Sequence, residues 1–331
     1  MKISKNLIAS AVFMAITSFA SSQAMAEAEI TLQFANTANQ AGKDAAGLLK
    51  QYVNEKTGGA LDIHLYNDNS FADDRVSAES TILGEIDICN VSTANIANIF
   101  PDLFLYDAPF IFDTPEEAFA WFDSEEGKLL NNVVENKGLM LLGVWQNGFR
   151  DFTNSKHPVK VPADIKGMKV RTMENEIQLK MWSNWGCNPT PMAYTEVLAA
   201  LQQGTIDAQE NPLALIDSSH FYEAQKYISR TGHVYSPHFV LINKEHFESL
   251  KPEFQQALLD GMKEATAFER KTAIENDKTF VKKFTDAGNI VVDLTAEEKE
   301  QWRQMAKDGG VYELVKSKMD RPEYLDKVLS K

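Results

Sequence analysis

The chain has 331 residues, with 33 basic against 47 acidic side chains and a formal net charge of −14. At roughly 150 residues per domain it is long enough for about two cores. Hydrophobic residues at 44% and charged residues at 24% exclude a disordered chain or a coiled-coil rod. The acid excess argues against a nucleic-acid partner, which needs clustered Lys and Arg. A small anion stays open, because one or two buried arginines outweigh a distant negative surface.

Lys2 and Lys5 precede an apolar run over 7–20, and Ala24-Met25-Ala26 follows it. This is the pattern of a secretory leader cut after Ala26, so 1–26 is expected to be a signal peptide. The run is shorter than the roughly 20 residues a bilayer span needs. No Cys follows it, which argues against a lipid anchor. Cys89 and Cys187 are the only cysteines and sit among small or apolar neighbours. They read as small buried hydrophobes in different lobes rather than as a disulfide framework.

In chain order, a strand is expected over 30–35 and a helix over 42–57, ended by Gly58-Gly59. A strand at 61–66, a helix at 73–83 stopped by Gly84, and a strand at 86–91 complete a β-α-β-α-β pattern. That pattern marks a layered α/β lobe with a largely parallel sheet. Helices over 115–122 and 125–136 lead to an apolar strand at 139–145, and 154–167, with Pro158 and Pro162, reads as a surface connection. A strand at 168–172 and helices at 175–185 and 194–203 follow, the last ended by Gly204. Residues 227–241 are rich in β-branched and aromatic side chains and read as strands around Pro237, with His233 and His238 flanking a turn. A helical pattern over 252–287 is long enough, at roughly 50 Å, to run along both lobes as a strut. Its alternative is two helices broken near Thr272.

Gly84-Glu85-Ile86-Asp87 and Gly204-Thr205-Ile206-Asp207 stand at the same helix-to-strand junction. The echo suggests two lobes built on one plan. In open α/β sheets ligands collect beyond the carboxyl ends of the strands, so 90–95 and 209–211 would face a shared cleft.

Phosphate-loop, dinucleotide-binding and nucleophile-elbow motifs are missing from the sequence, as are C-x-x-C and H-E-x-x-H. The six histidines, His64, His157, His220, His233, His238 and His246, show no metal-ligand spacing. Asp73-Asp74 reads as an N-cap and helix-dipole partner. What stands out is Arg150 and Arg171 just past apolar strands, with Asn211 before Pro212. Each alone has an ordinary structural reading. Together, with no catalytic constellation, they favour binding, since two arginines can clamp a carboxylate through charge-assisted hydrogen bonds.

Three stretches carry a family resemblance: 163–171 (ADIKGMKVR), 188–197 (NPTPMAYTEV) and 201–212 (LQQGTIDAQENP). They resemble, in order, the ADLKGLKIR, NPTPMPFxEV and LQxGxIDGQENP stretches of TRAP transporter solute-binding proteins. The resemblance implies an α/β periplasmic binding protein with two lobes around a ligand cleft and a long helix spanning both. It implies a first lobe of 27–147 plus 236–274 and a second of 148–235 plus 275–331, with crossings near Asn147, Ser236 and Ile274. It further implies a periplasmic receptor, expected to be a monomer without cofactor or metal, that delivers an organic acid to membrane permease subunits.

By the same resemblance Arg171 pairs with the ligand carboxylate and Arg150 supports it. Asn211, Tyr194 and Met173 line the pocket, and Asp74 and Asn95 contact the rest of the ligand from the first lobe. Glu79 and the loop 36–40, with Asn36 and Gln40, are further candidates. Relatives selective for sialic acid carry Glu where Ser92 stands and Arg where Asn95 stands, which argues against that ligand. The stretches 145–151 and 171–175 look more like receptors for uronates, aldonates or keto-gulonates. The alternatives are a C4-dicarboxylate receptor, a sensory binding protein, and a secreted sugar-acid enzyme with Glu210 or Glu79 as base.

Overall fold

The computed structural model describes residues 28–330, so the expected leader lies outside the described residues. Among the described residues nine strands form one sheet: β1 (Ile30–Asn36), β2 (Leu61–Asn67), β3 (Ile88–Ser92), β4 (Leu139–Asn154), β5 (Lys169–Thr172), β6 (Asn188–Pro191), β7 (Ala208–Pro212), β8 (Tyr227–Asn243) and β9 (Ile290–Asp293). The order is β2-β1-β3-β8-β4-β7-β5-β6, with β9 beside β8.

Two strands do most of the joining. β4 and β8 have 16 and 17 residues and pair antiparallel from Leu139/Asn243 to Asn154/Tyr227. On the outer edge of β8, β3 pairs with 238–242 and β9 with 227–230. On the outer edge of β4, β7 pairs only with 150–154. The sheet is therefore two sheets sharing a two-stranded ribbon. One holds β2, β1 and β3; the other holds β6, β5, β7 and β9.

The ribbon corrects one expectation. Residues 227–241 are not strands about a turn; β8 runs unbroken through Pro237, and His233 and His238 both lie within it. Pro237 stands opposite Gln146, where the ladder shifts register between Gln146 and Gly148. A missing N–H is tolerated at such a bulge. Gly148 has φ +119°, a conformation other residues rarely adopt.

The internal echo has a structural counterpart. Gly84 and Gly204 end their helices in the left-handed region, at φ 73° and 68°. Asp87 Oδ2 then accepts from Gln33 N–H at 2.6 Å, and Asp207 Oδ2 from Lys169 N–H at 3.0 Å. Each Asp N–H donates in return to the carbonyl of that same residue, at 3.2 and 2.9 Å. The same aspartate clamp thus ties β3 to β1 and β7 to β5.

The helix Pro252–Asp286 has 35 residues without a break at Thr272. Phe254, Leu258 and Met262 join the core of Leu49, Val53 and Trp145, and Phe284 joins that of Val197, Leu201 and Phe221. Near its middle, buried Glu269 accepts from Gln146 N–H at 2.8 Å and Arg270 donates to Val144 O at 3.1 Å. It is a strut fixed to the ribbon. The C-terminal segment reaches back to the first half of the chain. Arg321 contacts Asp102 at 2.6 Å, Tyr324 stacks edge-on against Trp121, and Tyr312 donates to Pro109 O at 2.7 Å. Cys89 and Cys187 are buried and unbonded to each other.

Candidate functional site

A cleft of about 200 Å³ opens between the two halves of the sheet. Its lining includes Asp74, Asn95, Arg150, Arg171, Met173, Tyr194 and Asn211, seven of the ten residues expected from the sequence.

The cations come from the second half. Arg171, near the carboxyl end of β5, is 3% exposed. Its Nε and Nη2 donate to Met192 O at 3.0 and 2.7 Å, while Nη1 is buried without a partner among the described residues. Burial pulls its pKa down to about 10, with Glu210 opposing and Arg150 reinforcing the shift. It stays cationic at neutral pH. Arg150, 1% exposed on β4, meets Glu210 on β7 through Nε–Oε2 at 2.5 Å and Nη2–Oε1 at 2.8 Å. The same Nη2 reaches Asn211 Oδ1 at 2.9 Å.

Glu210 is held in turn by His233, whose Nε2 lies 3.0 Å from Oε2 and whose Nδ1 lies 2.8 Å from Thr231 Oγ1. Burial would push the Glu210 carboxyl up, but Arg150 and His233 outweigh it and hold it down at about 2. Asn211 Nδ2 donates to Gln209 Oε1 at 2.6 Å. Its amide is therefore pinned on both sides. The Tyr194 hydroxyl bonds Ser219, and burial pushes its pKa up.

The first half supplies the other wall. Asp73 caps the helix Asp74–Leu83 by accepting from Val76 N–H at 2.9 Å. Asp74 turns away from the helix end: its Oδ2 accepts from Ser92 N–H at 3.1 Å and Asn95 Nδ2 at 2.8 Å. Both carboxylates line the cleft, but Asp73 caps the helix while Asp74 ties its end to Ser92 and Asn95.

Three expected residues lie outside the lining. Asn36 shares one rung of β1, β2 and β3 with Asn67 and Asn90, and its amide joins theirs at 2.9 Å each, closing a buried knot. Gln40 is exposed and donates to Asp44 at 2.8 Å. Glu79 faces outward, paired with Arg75 at 3.1 Å. Thr37, within the expected loop 36–40, and Ser92, within the expected stretch 90–95, do line the cleft, whereas Asn147 and His238 were not named as lining residues. Asn147 was visible as the point where β4 crosses; His238 was hidden by the expected turn.

A cleft floored by two crossing strands, with fixed cations on one wall and polar side chains on the other, defines a two-lobed ligand-binding protein. The chain belongs to the bacterial extracellular solute-binding protein family 7, whose model matches residues 33–312. It is 38% identical over 251 residues to the 2,3-diketo-L-gulonate-binding periplasmic protein YiaO of Escherichia coli, covering 76% of each chain. The sugar acid binding protein DctPAm of Advenella mimigardefordensis, solved with galactonate, superposes with a TM-score of 0.87 at 31% identity, covering 92% of this chain and 98% of that one. A TRAP periplasmic solute-binding protein of Sulfurospirillum deleyianum, solved with succinate, gives 0.85 at 27% identity, covering 91% and 98%.

Proposed function

We propose that this chain is the periplasmic receptor of a TRAP transporter and captures a sugar acid such as an aldonate, uronate or keto-gulonate. The observation that carries this is Arg171 Nη1, a buried donor without a partner at the cleft. An unsatisfied buried donor costs about 1–3 kcal/mol, and a ligand carboxylate removes that cost. In this reading the carboxylate docks on Arg171 beside Arg150. Asn211, Tyr194 and Met173 shape its surroundings, and Asp74 and Asn95 meet the hydroxyls. Glu79, Asn36 and Gln40 act outside the cleft.

The lobes are 27–147 with 236–274, and 148–235 with the chain beyond 275, whose last helix clasps the first lobe. Closure over the ligand bends the ribbon at its bulges near Asn147 and Ser236. Delivery is to membrane permease subunits, and the receptor works as a monomer without cofactor or nucleic acid. The similarity to galactonate- and diketo-gulonate-binding relatives supports the ligand class.

A receptor is favoured over an enzyme. Glu210, the base candidate, is held down at about 2 within its contacts to Arg150 and His233, so it is a poor proton acceptor at neutral pH. Glu79 is bound to Arg75 at the surface. A thermal-shift screen over aldonates, uronates, C4-dicarboxylates and amino acids tests the reading. Sugar acids should raise the melting temperature, because a ligand that binds only the folded state stabilises it. A response to dicarboxylates or amino acids alone would overturn it.

A further inference from the structure

The two walls of the cleft differ in charge, and this bears on the far end of the ligand. Both buried cations stand on the second-lobe side, on β4 and β5. Among the described residues, the only arginine or lysine that the first lobe adds to the lining is Arg75, half exposed and engaged by Glu79 at 3.1 Å. Resting on the sugar-acid reading above, we propose that Asp74, Asn147 and His238 form a hydroxyl-reading surface that rejects a second carboxylate. The ligand is then a polyhydroxy monocarboxylate, not a diacid.

Three observations carry this. Asp74 is fixed through Oδ2 by Ser92 N–H and Asn95 Nδ2, and among the described residues its Oδ1 makes no hydrogen bond. That oxygen is an acceptor held in place for a ligand hydroxyl. Asn147 is 4% exposed on the cleft floor; its Nδ2 donates to Ser236 Oγ at 3.4 Å, while Oδ1 is buried without a partner. This second orphaned acceptor again asks for a donor, which a hydroxyl has and a carboxylate lacks. His238 lines the same cleft, and among the described residues its ring makes no hydrogen bond. Burial pulls it down to about 4 against the pull of Asp74, so it is neutral at pH 7. A neutral imidazole offers one donor and one acceptor, which suits a hydroxyl and supplies no charge to a carboxylate. Like charges brought together repel, so a terminal carboxylate beside Asp74 is penalised.

The test is calorimetric titration of the exported chain with matched acids: galactonate against galactarate, and gluconate against glucarate. Each pair differs at the far terminus only. For the pair that binds, the monoacid should be favoured by at least about tenfold. Asp74→Asn should shrink that ratio by strengthening the diacid. A wild-type diacid within about threefold of its monoacid would overturn the proposal, as would an unchanged ratio in a folded Asp74→Asn protein. The wild-type comparison needs no variant to fold. If no member of either pair and no uronate binds while succinate does, the sugar-acid reading itself fails and this inference with it.

Discussion

Arg171 directs two nitrogens at one carbonyl: Nε and Nη2 lie 3.0 and 2.7 Å from Met192 O. Met192 follows β6, the strand paired with β5. The guanidinium plane is therefore set by the backbone of the neighbouring strand, before any ligand arrives. Nη1 is what remains, buried and unpaired. Preorganisation of this kind lowers the cost of binding.

Arg171→Ala should weaken sugar-acid binding by about 100-fold, since truncating one side of a buried charged pair costs about 2–5 kcal/mol. Arg171→Lys should still weaken it about tenfold, because an ammonium cannot hold Met192 O and a carboxylate in one plane. Calorimetry on both variants checks this; near wild-type affinity for the alanine variant would remove Arg171 from its assigned role.

Glu210 serves Arg150. Glu210→Gln leaves a buried guanidinium without its counter-charge, and breaking such a pair costs about 3–5 kcal/mol. Both the melting temperature and the affinity should fall. The pair also has a pH signature. A carboxyl held at about 2 when folded stabilises the protein above its unfolded value near ~4.3, and that stability is lost as pH falls towards 2.

Glu269 has the opposite sign. Burial pushes it up to about 8, against the Gln146 N–H and Arg270, which pull it down. Burial and Asp151 push Asp277, on the same helix, up to about 7. Folded values above the unfolded ~4 mean the folded state holds extra protons. This stability is complete below about pH 4 and is lost as pH rises through 7 and 8. Relative to wild type, Glu269→Gln should therefore gain in melting temperature between pH 5 and 9. A constant difference across that range would contradict the assignment.

The aspartate clamps should behave as equivalents. Asp87→Ala and Asp207→Ala each free a strand N–H, Gln33 or Lys169, that the carboxylate now satisfies. Hydrogen bonds to charged groups contribute about 1.5–3 kcal/mol, so chemical denaturation should show losses of that size in both. A large loss in one and none in the other would deny the shared plan.

These clamps show what was legible from sequence. The Gly-x-Ile-Asp echo located both junctions, because a left-handed glycine cap and a carboxylate beside a strand N–H are local devices. Arg171 was legible too, as a charge near the end of an apolar strand; Arg150 was singled out on the same ground, but β4 does not stop at 145 and runs past it to Asn154. Less local features were not. The hidden length of β8 depends on β4 lying alongside it, since Pro237 reads as a breaker until a bulge opposite absorbs it. Asn36 looked like a cleft residue, but two partners on neighbouring strands, Asn67 and Asn90, claim its side chain. Glu210 looked like a free acid in sequence; Arg150 and His233, 60 and 23 positions away, make it a fixed counter-ion.

The central claim is that a carboxylate on the ligand meets a prepared buried cation. The most direct measurement is calorimetric titration of wild type with gluconate, galactonate and glucuronate, each beside the neutral alditol of the same carbon skeleton. The acid that fits should bind and its alditol should give no measurable heat of binding. An alditol binding as tightly as its acid would contradict the account.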